Sequence, residues 1–222
     1  MNFRKVFSII AGGLLTVGAM TVPASAITLT FEQVPSNNGN PDVSSQLVVE
    51  VTDDGTQALF DISVIAGAVS TLNLTEIYFD DDNGVFQTPI SVISQSAGVN
   101  FNTIGSANPG DLPGGNQASV DFDVTPGLLL DSQNGNGNGV DVGESIVLGL
   151  LYSVGSDFDD VVTALNDGLL RIGFHIRSID GGESDSFVNV PPVTEVPIPG
   201  AIWLMGAGIA GLGFARRRKA AA

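Results

Sequence analysis

Between residues 27 and 190 the chain is a succession of short apolar runs, each ended by turn-forming residues, and this pattern restricts the fold more than any other feature. The runs 27–32, 46–52, 58–64, 72–79, 90–94, 118–124 and 146–154 have the length of strands and are rich in β-branched or aromatic side chains. Residues 169–179 alternate. Leu170, Ile172, Phe174 and Ile176 have one parity and Leu169, Arg171, Gly173, His175 and Arg177 the other, as in a strand with one buried face. A last run, 187–190, closes the series. Between the runs, Asp53-Asp54-Gly55, Asp82-Asn83-Gly84 and Pro113-Gly114-Gly115 supply the positive-φ positions that tight turns need.

The spacing predicts one all-β domain over residues 27–190, a two-sheet, jelly-roll-like β-sandwich with a closed barrel as the alternative. One short helix is expected to plug an end of the sheets. There Ser156 and Asp159 form a capping-box-like pair, and Phe158, Val161, Val162 and Leu165 recur at helical spacing before Gly168. The Asn-Gly run at 134–139 is too polar to bury and reads as a surface loop. No internal repeat is evident, which argues against a solenoid or propeller.

All 24 acidic residues lie between Glu32 and Glu195, and over that span only Arg171 and Arg177 oppose them. Such a surface repels phosphate backbones, so no nucleic-acid partner is expected; solubility is its plainest use, with divalent cations or basic partners as possible ligands. The chain has no cysteine, so no disulfide can staple the fold.

Both ends read as address segments. Arg4 and Lys5 precede an apolar run, and Ala24 and Ala26 then give the small-x-small pattern of a leader-peptidase site. Residues 1–26 are therefore expected to be a signal peptide, with Ile27 first in the mature chain. Residues 191–199 read as a linker ending in Val196-Pro197-Ile198-Pro199, followed by an apolar run, 200–215, and a basic tail, 216–222, containing Arg216, Arg217, Arg218 and Lys219. Prolines keep the chain extended up to the run, which as a helix from Ile198 to Ala215 would measure about 27 Å, close to the bilayer core. The basic cluster is expected to stay cytoplasmic, leaving residues 27–190 outside the inner membrane.

This order of proline motif, short apolar helix and terminal basic cluster resembles the PEP-CTERM sorting signal of exported bacterial proteins. The resemblance implies recognition by an exosortase, a membrane-embedded transpeptidase or protease that cuts near the motif, and an association with extracellular polysaccharide. Ile198 stands where the family most often has Glu, while Ala201 to Leu204 follow a continuation seen in it. A plain tail anchor is the alternative. Two other sorting signals fit worse: there is no LPxTG motif before the apolar run, and a GPI signal does not end in four basic residues. The middle of the chain also resembles a set of uncharacterised PEP-CTERM proteins, through Glu76-Ile77-Tyr78-Phe79-Asp80, a loop over 109–116, and Leu170-Arg171-Ile172-Gly173-Phe174-His175.

Signs of catalysis are few: no cysteine nucleophile, no GxSxG elbow, no P-loop and no HExxH. His175 is the sole histidine and falls on the polar parity of its strand, where a structural role or exposure outweighs catalysis. Paired carboxylates could serve glycoside hydrolysis. Calcium is the more natural ligand, with Asp80, Asp81 and Asp82 in one turn and Asp141 in a single GxGxD step; residues 131–144 fail the EF-hand spacing. The chain is thus expected to be an exported, non-enzymatic surface or matrix protein. A calcium-dependent carbohydrate-binding module and a carboxylate hydrolase are the alternatives.

Overall fold

The computed structural model describes residues 26–34, 40–103, 111–117, 119–133 and 137–196. They form an all-β domain with one short helix. Eleven strands run in chain order: β1 (Ala26–Gln33), β2 (Leu47–Asp53), β3 (Gln57–Val64), β4 (Asn73–Asp81), β5 (Ser91–Gln95), β6 (Phe101–Thr103), β7 (Leu129–Ser132), β8 (Val140–Asp141), β9 (Ser145–Leu151), β10 (Leu170–Ile179) and β11 (Glu183–Val196). All pair antiparallel in one sheet ordered β5-β9-β3-β2-β1-β11-β10-β4-β7-β6, with β8 also on β4.

The sheet curls on itself. Phe60 of β3 packs edge-on against Phe79 of β4 with ring centroids 5.3 Å apart, although four strands separate β3 from β4 along the hydrogen-bonded path. Inward positions at alternate residues, such as Ile27, Leu29 and Phe31 of β1 and Phe60 and Ile62 of β3, share one core with the inward residues of β4 and β10. The hydrogen-bonded ladder is unbroken, so a single curled antiparallel sheet stands where two separate sheets were expected.

Local chemistry explains the elements. In the β2–β3 hairpin the Asp54 carboxylate accepts from the amides of Thr56 (2.9 Å) and Gln57 (3.0 Å), and Gly55 takes φ +90°. Helix α1 (Phe158–Asp167) starts one residue later than the Ser156/Asp159 pair suggested. Asp157 is the N-cap, its carboxylate accepting from Asp159 and Asp160, and the Asp160 side chain closes the capping box. Gly168 ends the helix in the left-handed region. Its buried face, Phe158, Val161, Ala164 and Leu165, joins the main core, and the helix packs against β3, β10 and β11.

Three departures from the sequence reading bear on function. Residues 119–124 are loop, not strand: Val120, Phe122 and Val124 alternate because they settle on the outer face of the sheet, and Asp121 at φ +47° breaks extension. Strands β6, β7 and β8 were not anticipated, being two to four residues long. Strand β11 runs on to Val196, past the point where a linker was expected to begin. Its register against β1 moves from Thr30↔Val190 to Thr28↔Thr194, and this bulge lets Pro191 and Pro192, which have no amide hydrogen, pass before pairing resumes.

Candidate functional site

Strand β4 is buried along its whole length. Leu74, Ile77 and Phe79 face the main core, whereas Tyr78 belongs to a second apolar group on the opposite side with Val34, Leu112, Phe122, Leu129 and Val188. That outer face is covered by the loop residues 111–117 and 119–124. The cover is close: a Cβ on Gly173 of β10 would lie 2.9 Å from Leu112 Cδ2 and 3.0 Å from Phe122 Cζ. Glycine at this position is what lets the loop seat.

Beside the loop the same face carries a ladder of charges between β4 and β10. Glu76, 3% exposed, receives Arg177 Nη2 at 2.8 Å on Oε1, and on Oε2 it meets His175 Nδ1 at 2.6 Å and the Tyr78 hydroxyl at 2.7 Å. One rung along, Arg171 donates to Asp80, to the Asp121 carbonyl and to the Val120 carbonyl (2.5 Å), and its guanidinium lies 5.3 Å from the centre of the Phe122 ring. Arg171 therefore ties the loop to the sheet. Asp131 of β7 stands directly opposite Glu76 in register.

The electrostatics follow from this packing. Burial raises the Glu76 carboxyl, but hydrogen bonds from His175 and Tyr78 and the attraction of His175 and Arg177 outweigh it, leaving the pKa below its usual 4.5. Burial, reinforced by Glu76, raises the Tyr78 phenol. Burial and the facing Glu76 raise Asp131 above its usual 3.8. Burial likewise raises Asp80, against the opposing pull of the Asp123 amide and Arg171.

These shifts give a signed pH dependence. As pH falls from neutral, Asp80 and Asp131 take up protons in the native state before the unfolded chain does, so their contribution to stability rises. Below the usual 4.5 of Glu76 the unfolded chain protonates first, and the contribution of Glu76 is lost progressively as pH falls through its lower native pKa. In thermal melts across pH, Asp131→Asn is expected to raise Tm near neutrality, with the gain shrinking towards pH 4. Glu76→Gln is expected to lower Tm near neutrality and flatten the acid limb. The opposite order for either variant would show that the ladder is not set as described.

The residues expected to bind calcium do not converge. The Asp80 carboxylate meets Arg171 and the Asp123 amide (3.2 Å), while its Oδ1 is buried without a partner. Asp81 points the other way and accepts from the amides of Val85 (3.1 Å) and Phe86 (3.0 Å), closing the turn after β4. Asp82 is exposed. Asp141 accepts from Asn73 Nδ2 at 2.6 Å beside a cleft of about 240 Å³ also lined by Ser70, Thr71 and Ser178. Among the described residues, no group of three or more His, Cys, Asp or Glu side chains is placed to hold a metal ion.

Of the processing residues, Ala26 opens β1 and Val196 closes β11, and the two are register partners. Ala24, Pro197, Ile198, Pro199, Arg216, Arg217 and Arg218 lie outside the described residues, as do the expected signal peptide up to residue 25 and the expected transmembrane helix. Among the described residues, no helix is long and apolar enough to cross a membrane. No protein-family model matches the chain, and neither a curated protein nor a solved structure matches it.

The charge ladder escaped the sequence reading although its signal was present. Arg171, His175 and Arg177, the basic residues between residues 27 and 196, share one parity of one strand. In a chain so acidic, that alignment calls for acids on the neighbouring strand. The three stretches noted for their resemblance to uncharacterised proteins meet here: Glu76 to Asp80 in β4, the described part of the loop from Asp111, and Leu170 to His175 in β10.

Proposed function

We propose that the chain is an exported bacterial protein, sorted through its C-terminal proline motif, apolar segment and basic cluster, and that its β domain serves a non-enzymatic role at the cell surface or in an extracellular, polysaccharide-rich matrix. Its facing halves are read as the layers of a jelly-roll-like sandwich. Signal peptidase and an exosortase are the partners implied, with the inner membrane a transient station.

The observation that supports this reading is the pairing of Ala26, last residue of the proposed leader, with Val196, first residue of the proposed sorting motif, as register partners on β1 and β11. Both oxygens of Glu76, a buried acid of the ladder on the outer face, are taken up by side chains of the domain, which supports a structural role for this residue.

The test is the fate of the tail. Surface-released protein is expected to lack Arg216 to Lys219 by mass spectrometry. Pro197→Ala with Pro199→Ala is expected to leave full-length protein in the inner membrane while translocation continues, because the apolar length and basic stop are unchanged. Released protein that still contains the Phe214 to Lys219 region would reject processing in favour of a simple anchor.

A further inference from the structure

The bond at which leader removal is proposed, between Ala26 and Ile27, lies inside the folded sheet. Ala26 and Ile27 are 2% and 0% exposed. Strand β1 is hydrogen-bonded on both sides: Ala26 faces Thr52 of β2 and Val196 of β11, and Ile27 faces Val51 and Glu195. A peptidase engages its substrate as an extended segment whose backbone groups are free to pair with the enzyme. In the folded domain those groups are already paired, so presenting this bond means pulling the start of β1 out of the sheet and exposing Ile27 and Leu29 to water.

Resting on the leader reading above, we infer that leader removal and folding occur in a fixed order: the Ala26–Ile27 bond is hydrolysed only while β1 is unpaired, and closure of the sheet makes an uncut bond resistant. In the step itself water adds across the amide, leaving a carboxylate on Ala26 and a protonated amine on Ile27. The topology also sets the length of the window. Strand β1 joins the β5-β9-β3-β2 half of the sheet to the β11-β10-β4-β7-β6 half, and its partner on the second side, β11, is the last of the described strands to be made. One flank of β1 therefore stays open until the chain has emerged through Val196. A leader not removed by then remains attached to a folded domain.

The experiment uses the full chain in nonionic detergent with a bacterial leader peptidase, the product identified by N-terminal sequencing. One arm dilutes the chain from urea directly into peptidase; the other lets it refold first, folding being verified by circular dichroism and by resistance of the domain to thermolysin. The unfolded arm is expected to be cut between Ala26 and Ile27, and the refolded arm about 100-fold more slowly, since cleavage then waits on rare opening. A chain that gains thermolysin resistance only after the cut supports the same order. Leu29→Asp, which places a charge at a buried position of β1 without altering Ala24, Ala26 or Ile27, is expected to bring the second arm up to the rate of the first. Equal rates in both arms for a verified folded wild-type chain would overturn the ordering while leaving the leader reading intact. An unfolded chain not cut at Ala26–Ile27 would instead remove the leader reading, and the ordering with it.

Discussion

Phe60→Ala is expected to lower the unfolding free energy by about 3–5 kcal/mol, the range for truncating a fully buried aromatic side chain. Phe60 is 0% exposed and its ring meets Phe79 at 5.3 Å and Phe86 at 5.9 Å between centroids, both edge-on. The Phe79 contact joins β3 to β4, strands that share no hydrogen bonds, so the loss falls on the curl of the sheet itself. Urea unfolding followed by circular dichroism measures it, with the exposed Val154→Ala as a control expected to change little. A loss under about 1 kcal/mol for Phe60→Ala would mean that β3 and β4 do not face one another across a common core.

Arg171→Ala is expected to cost about 3 kcal/mol and to loosen the loop over the outer face, because it strips the cationic partner from a carboxylate, Asp80, that is 2% exposed. The same change removes donors to the Val120 and Asp121 carbonyls and the cation above Phe122. Hydrogen exchange should therefore quicken at the amides of Val120 and Phe122, which are held at 2.8 Å to Gln117 and 3.0 Å to Gly115, while those of β2 and β3 stay protected. Adding Asp80→Asn should recover part of the loss, since it removes the buried charge left behind. Full additivity of the two changes would show that Arg171 and Asp80 do not act as a pair.

The outer face shows why parity alone does not tell exposure. Period-2 alternation over 169–179 identified the strand and sorted its residues correctly onto two faces. It could not tell that the polar face of β10 is covered, because the cover comes from β4, some hundred positions earlier by the His175–Glu76 contact, and from a loop some fifty positions earlier by the Arg171–Val120 contact. His175, expected to be exposed or structural, is 8% exposed against Glu76. Likewise Asp80 and Asp81 are adjacent and chemically identical, yet alternation sends one to Arg171 and the other to the turn amides, so proximity along the chain did not make them joint ligands.

Local chemistry, legible in the amino-acid sequence alone, determined the β-rich class, most of the long strands, the Asp54-Gly55 turn and the helix ending at Gly168, since each depends on neighbours within a few residues. Tertiary structure alone decided the pairing of β1 with β11, the passage of Pro191 and Pro192 by a bulge, the seating of Leu112 and Phe122 over Gly173 and the Glu76–His175–Arg177 ladder. The physical reason is the same in each case. These contacts join residues far apart in the chain, and which of them form depends on how the whole sheet curls around its shared core, a property that no local window of sequence contains.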